Sequence, residues 1–507
     1  MKTLLINPPY PFQEFPIIPM GLLYLAAVLE EKGYEVDVLD MLVSKCSRDK
    51  VKRKLDEFQP DIVGVTCVTM NYHRASDILR YCKDIDKDLI TLIGGPHVTF
   101  NAVETLNEAP WIDIVIRGEG ESTMLDLVEK KPLDQIPGIA YRSDGGVKVT
   151  AERGLIEDLD ALPQPARHLF PLSRYHALAS HCSILTGRGC PFNCIFCVGS
   201  KMGGRRARFR NPKLVVDEIE QGLALGFTEV NLEDDLFTLN HRHLHTICDD
   251  IIERGLKFNW SVFARVDTVN PEVLTKLQRA GCTWLCYGVE SGNQEILDLV
   301  KKKITIERVR ESVKMAKDAG VNVLASFILG LPGETKETLK ETMDFAQELD
   351  TYYGFHVLAP FPGTDVREKA AEYELEILTN DWVKYDANRP VSRTPGASPK
   401  DITDALYKYY RGLRLTPEEL AEAGVEEPAA GSSQKIRPLA WTLLSGDVIE
   451  SLGSIDRTSE PVSGLVDKIA QLIPYPRDQI NENLSSWAEQ GLLAHEVTDG
   501  RLLWHWR

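Results

Sequence analysis

Cys190, Cys194 and Cys197 lie in the stretch Leu185-Thr-Gly-Arg-Gly-Cys-Pro-Phe-Asn-Cys-Ile-Phe-Cys-Val198 and form a C-x3-C-x2-C run. Thiolates bind zinc or iron–sulfur clusters, but structural zinc takes four closed ligands. A four-iron cube given only three thiolates keeps one iron open for another ligand. The remaining seven cysteines (Cys46, Cys67, Cys82, Cys182, Cys248, Cys282 and Cys286) follow no framework spacing, which argues against a disulfide scaffold. The run therefore points to a redox cluster with a vacant coordination position.

Such a loop needs a scaffold. From Thr3 to Arg117 short apolar strands (Thr3 to Asn7, Glu35 to Leu39, Ile62 to Thr66, Leu89 to Gly94, Ile112 to Arg117) alternate with helices (Gly21 to Lys32, Asp49 to Phe58, His73 to Ile85). This predicts a doubly wound parallel sheet that binds ligands beyond its carboxyl edge. No G-x-G-x-x-G follows the first strand, which disfavours a dinucleotide. Residues 151 to 181 carry Pro163, Pro165 and Pro171 and read as a linker after a domain spanning residues 1 to 150. Six strand-helix units follow between residues 182 and 397, too few for a closed eight-unit barrel, so a partial barrel is expected. Polar groups cluster at its strand ends: Glu233-Asp234-Asp235, Arg265-Val266-Asp267, Glu290-Ser291-Gly292 and Leu329-Gly330-Leu331-Pro332-Gly333-Glu334. Residues 398 to 507 turn helical after a break at Ala429 to Ser433, with helices at Val462 to Leu472 and Arg477 to Gln490. A hairpin turning at Asp499-Gly500 closes the chain, giving a winged-helix-like second half.

The formal charge, 58 basic against 75 acidic residues or -17, disfavours nucleic-acid binding, as do the 7 basic against 15 acidic residues from Thr416 onward. Arg205, Arg206, Arg208 and Arg210 crowd the segment after the cysteines; they suit either a solvated loop paired with the acidic body or the surroundings of an anionic group. No apolar run reaches the 18 residues of a membrane span, and the start reads as a strand rather than a signal peptide, so a cytoplasmic protein is expected.

With an aromatic, Phe196, before its last cysteine, the C-x3-C-x2-C run resembles the signature of the radical S-adenosylmethionine (SAM) superfamily. The resemblance implies a [4Fe-4S] cluster on Cys190, Cys194 and Cys197 whose open iron is chelated by SAM, with one-electron reduction cleaving SAM to a 5'-deoxyadenosyl radical. It further implies SAM contacts from Phe196, Glu233, Asp234, Arg265, Glu290, Ser291, Leu329 and Gly330, with Arg265 either holding SAM's carboxylate or bracing the acidic triplet. Pro19 to Ala26, Gly94-Gly-Pro-His97 and Gly118-Glu-Gly-Glu121 make the first 145 or so residues similar to the Rossmann-like cobalamin domain of many radical SAM proteins. That similarity implies cobalamin contacts from Pro19, Gly21, Thr66, Thr69, Met70, Asn71, Gly94, Gly95, His97, Gly118 and Glu119. With no Asp-x-His-x-x-Gly motif, it implies base-off cobalamin without a histidine ligand.

Three functions fit this reading. The first is a cobalamin-dependent radical SAM methyltransferase, passing a methyl group through methylcobalamin to an unactivated carbon of a small molecule or peptide, with a flavodoxin or ferredoxin as electron donor. The others are a related enzyme that oxidises or rearranges its substrate, as the porphyrin oxidative cyclase does, and a cobalamin or redox sensor. Substrate-binding residues are not legible at this stage.

Overall fold

Five consecutive buried residues make Thr3–Asn7 (β1) a strand covered on both faces. It pairs in parallel with Val36–Asp40 (β2) and Ile62–Thr66 (β3), which continues to Ile90–Gly94 (β4) and Ile114–Ile116 (β5). The sheet, in the order β2-β1-β3-β4-β5, is extended by an antiparallel pair, Ile139–Ser143 (β6) and Gly146–Val149 (β7), that the sequence pattern does not announce. Strand order reverses between β1 and β3, and this switch point places a crevice at the carboxyl edge. The computed structural model describes residues 1–11, 16–412, 437–456, 461–498 and 501–507.

The second sheet holds six parallel strands in strict chain order: Cys182–Ile184, Glu229–Leu232, Asn259–Ala264, Cys282–Glu290, Asn322–Leu329 and Tyr352–Val357. First and last are not paired, which makes a partial barrel. Alternation sets its two faces: Trp260, Val262 and Ala264 enter the core under the helices, while Ser261 and Phe263 face the other way. On that inner face Ser261 donates to Asn231 (2.9 Å), and Asn231 (2.8 Å) and Ser183 (3.2 Å) donate to Glu233.

The expected linker is instead a packed buttress. Tyr175, in the helix Leu172–Ala177, donates to Asp40 at 2.5 Å, while Arg167 donates to Ser183 O and Glu218, both at 2.6 Å. Ala166, Phe170, Ala177 and Leu178 also enter the main core, at spacings that follow no regular helix or strand period. Arg174 reaches Val43 O (3.0 Å), Asp447 (2.8 Å) and Glu450, so one guanidinium joins the flank of the first sheet to the C-terminal segment. There, helices Arg437–Ser445, Pro461–Ile469 and Arg477–Glu489 pack on strands Leu493–Thr498 and Arg501–Trp506, and Ser454–Asp456 adds a third strand beside the latter. Ala429 to Ser433 and the Asp499-Gly500 turn lie outside the described residues. Among the described residues no helix is long and apolar enough to cross a membrane.

Candidate active site

The cysteine loop leaves the first barrel strand and is tied down at both ends and in its middle. Asp234, 4% exposed, accepts from the Thr186 N–H (2.6 Å), the Gly187 N–H (3.1 Å) and the Thr186 hydroxyl. Asp235 accepts from the Gly189 N–H at 2.9 Å. Ile195 donates to Val300 O (3.1 Å) and accepts from the Val366 N–H (3.0 Å), while Phe196 packs on the apolar group of Ile195, Ile296, Val300 and Leu331. Cys190 and Cys194 are half-buried, Cys197 is exposed, and all three are free thiols. Three free thiols on one braced loop are a donor set that fits a cluster.

Positive charge gathers at Cys194. Arg265 Nη1 stands 4.0 Å from its Sγ, the guanidinium lies 3.6 Å from the centre of the Phe192 ring, and its far side holds Asp267 through two bonds of 2.9 and 3.0 Å. Arg265 therefore braces Asp267 and the Lys302 carbonyl (2.8 Å), and no bond joins it to the acidic triplet. Burial pushes the Cys194 thiol up, and Lys302 and Arg265 pull it down. Lys302, 6% exposed, donates to Glu290 at 2.6 Å. Sequence reasoning missed it because Lys301 to Lys303 looks like a solvated run; only the middle lysine is buried.

The expected SAM residues divide. Glu233, Arg265 and Glu290 stand on the strand-end rim with partly or fully paired polar groups. Asp234 has both oxygens occupied by the loop it holds. Ser291 is fully buried and faces the Thr342 hydroxyl at 3.2 Å. Leu329 is in the core with its carbonyl bonded to the Leu358 N–H (2.8 Å), and the Gly330 N–H donates to Glu334 at 2.5 Å.

Glu334 is fully buried, accepts also from the Leu331 N–H (3.1 Å), and leaves Oε1 without a partner. Burial pushes its carboxyl up to about 8. A carboxyl raised from 4.5 in the unfolded chain makes the folded state hold the extra proton between those values, so stability falls as pH rises from about 4.5 to 8. The loss approaches about 5 kcal/mol at most. Glu334→Gln keeps an acceptor for the two N–H groups and cannot ionise; its thermal midpoint relative to the parent is expected to rise with pH through that window. A difference that stays constant with pH would refute the assignment.

At the carboxyl edge of the first sheet lies a cavity of about 330 Å3, lined by Gly21, Thr66, Gly94, Gly95, Gly118 and Glu119 among others. Side chains are absent where a ligand would come close: a Cβ at Gly21 or Gly118 would meet nothing within 4 Å, although Gly118, at φ +73°, also needs the left-handed backbone that glycine allows. Gly95, at φ +112°, is pressed on the Cys67 backbone, where no Cβ fits. The remaining expected contacts stand apart from these lining residues. Pro19 O accepts the first N–H groups of helix Met20–Glu31. Thr69, Met70 and Asn71 form a single turn, with Asn71 accepting from the Val68 N–H at 2.9 Å. His97, 2% exposed, faces Thr69 Oγ1 at 3.3 Å and packs between Tyr72 and Trp382; burial pushes its imidazole down to about 3, so it is neutral.

The arginine cluster divides: Arg205 and Arg206 are exposed, Arg206 pairing with Glu157 as a solvated loop would, whereas Arg208 and Arg210 are buried. Arg208 binds Glu119 through bonds of 3.0 and 2.9 Å, and Arg210 binds Glu218 at 2.6 Å. Leu185, Arg188 and Met202, from the cysteine segment, wall the cavity opposite the first sheet.

Comparison with known proteins agrees with this two-site arrangement. The radical SAM superfamily profile matches residues 184–346, and the B12 binding domain profile matches residues 14–128. An uncharacterized methyltransferase of Pyrococcus horikoshii is 35% identical over 432 residues, covering 83% of this chain and 94% of its own length. Anaerobic magnesium-protoporphyrin IX monomethyl ester cyclase of Rubrivivax gelatinosus is 32% identical over 435 residues, covering 81% and 77%. Among solved structures, the radical SAM methyltransferase TsrM of Kitasatospora setae, with tryptophan and a SAM analogue bound, shares the fold with a TM-score of 0.70 at 20% identity, covering 89% of this chain and 99% of that one.

Proposed function

Because the chain belongs to the cobalamin-binding radical SAM enzymes, we propose that it methylates an unactivated carbon of its substrate, with SAM as methyl source and cobalamin as carrier. The observation that carries this reading is the shared wall: Leu185 and Arg188, from the segment that leads into the cysteines, also line the glycine-rich cavity of the first sheet. When bound, the cluster supplies the electron that cleaves SAM and cobalamin supplies a methyl group.

The protein's own residues prepare the place. Cys190, Cys194 and Cys197 hold the cluster, and Asp234 and Asp235 fix the loop that presents them. Arg265 and Lys302 set positive charge beside Cys194, which suits an anionic cluster and a SAM carboxylate. Glu233 and Glu290 offer carboxylates to SAM's cationic amino group and its ribose. The cavity, with its glycine and aliphatic lining, suits an uncoordinated benzimidazole tail and so base-off cobalamin, and neutral, enclosed His97 supports a lower face without histidine. The C-terminal helices and three-stranded sheet have the order of a winged-helix module and, being acidic, suit presentation of a peptide or small molecule better than DNA.

Anaerobically reconstituted protein is expected to bind cobalamin, cleave SAM under a low-potential reductant such as reduced flavodoxin, and produce a methylated product carrying label from methyl-labelled SAM. Product without label would sink the methyl-transfer reading. The relative named as a cyclase supports one alternative, oxidative ring closure, and the product mass separates the two.

A further inference from the structure

We propose that Glu119, Glu121, Arg188 and Arg208 form a latch through which the cobalamin cavity and the cysteine loop control each other, so that filling either site tightens the other. This rests on reading the Gly118 to Glu121 turn as part of the cobalamin site.

The contacts form an unbroken path. Glu119 lines the cavity. Its Oε1 accepts from Arg188 (3.1 Å) and Arg208 (2.9 Å), and its Oε2 from Arg208 (3.0 Å) and the Ile156 N–H (2.7 Å). Glu121 takes the other Arg188 nitrogen at 2.7 Å. Arg188 stands two residues before Cys190, and its strand Gly187–Arg188 pairs with Arg208–Phe209. Arg208 also donates to Gly203 O (2.8 Å), and the adjoining Gly204 O accepts the Cys190 N–H (3.0 Å). Between them Gly189, at φ +99°, is so close that a Cβ would stand 2.7 to 2.9 Å from the carbonyls of Gly203, Gly204 and Arg206. The two loops therefore move as one.

Charge couples the two ends of the path. Two carboxylates meet two guanidiniums, with side-chain exposures of 10% and 6% for Glu119 and Glu121 and 14% and 3% for Arg188 and Arg208. A turn that shifted alone would strand a buried charge, a far larger cost than breaking an exposed pair. Arg188 also lies over the Tyr24 ring at 5.1 Å, and Tyr24 lines the cavity. A ligand in the cavity therefore bears on Glu119, Tyr24 and Arg188 together.

The test is equilibrium dialysis of hydroxocobalamin against cluster-free and reconstituted protein, which must obey reciprocity. In the parent, reconstitution is expected to lower the cobalamin Kd at least about fivefold. Glu119→Gln is expected to bring that ratio close to one, and Glu121→Gln, which leaves the Arg208 pair intact, to an intermediate value. Adding cobalamin is likewise expected to shift the electron paramagnetic resonance spectrum of the reduced cluster in the parent and not in Glu119→Gln. Equal Kd values with and without the cluster in the parent would overturn the latch while leaving the proposed function standing. Absence of cobalamin binding in either state would take down both. If Glu119→Gln fails to fold by circular dichroism, Glu121→Gln decides, and full parental coupling there overturns the latch.

Discussion

Alanine at Cys194 is expected to abolish iron incorporation and SAM cleavage while leaving the protein folded. The loop does not depend on a cluster for its course: Asp234, Asp235 and the Ile195 bonds to Val300 and Val366 fix it from three directions. What Cys194→Ala removes is one of three thiolates on a site that has no spare, so the loss is complete rather than graded. Arg265→Met makes the useful contrast. It leaves all three thiolates and removes the charge 4.0 Å from one of them, together with the bonds to Asp267 and the Lys302 carbonyl. Outer-shell changes of that kind cost roughly 10- to 100-fold in affinity or activity. Iron and sulfide content, with 5'-deoxyadenosine yield, measures both. If Cys194→Ala retained parental iron content, the ligand assignment would be wrong.

Glu218→Ala is expected to cost about 3 to 5 kcal/mol of stability, because it leaves two buried guanidiniums unpaired. Glu218 has no exposed surface and binds Arg167 and Arg210, one through each oxygen and each at 2.6 Å. Those arginines also hold the Ser183 and Leu185 carbonyls, so the carboxylate indirectly fixes the strand that leads into the cysteine loop. Arg206→Ala, by comparison, breaks a pair with Glu157 whose side chains are 75% and 67% exposed. An exposed pair of this kind contributes at most about 1 kcal/mol. Unfolding midpoints of the two variants, together with protease sensitivity of residues 151–181, separate the effects. Comparable losses in the two variants would falsify the account of Glu218.

Much of the scaffold was legible because burial imposes periodicity. The strands at Thr3 and Ile62 and the helices at Met20, Arg48 and Tyr72 lie within a few residues of where apolar spacing places them. The antiparallel pair at Ile139 and Gly146 was not: its outer member, Gly146–Val149, is a largely exposed edge strand of four residues with little apolar signal. Nor was the structural work of residues 151 to 181, which is shared between bonds from Arg167, Arg174 and Tyr175 and irregularly spaced core residues such as Phe170 and Leu178. Among the polar side chains at strand ends, type and position did not distinguish Glu290, which holds Lys302, from Asp234 and Ser291, which brace loops.

The sequence alone determined the chemistry of the donors. Three thiolates at fixed short spacing are a local property, as are the glycine turns and the alternating elements that imply two parallel sheets. Tertiary structure decided which charges meet. Glu119 finds Arg208, Arg188 finds Glu121 and one lysine of three finds Glu290, across separations in the chain that spacing cannot encode. A thiolate's capacity to bind iron belongs to the residue. Whether a carboxylate serves a ligand or balances a buried guanidinium depends on what the fold places within about 4 Å of it.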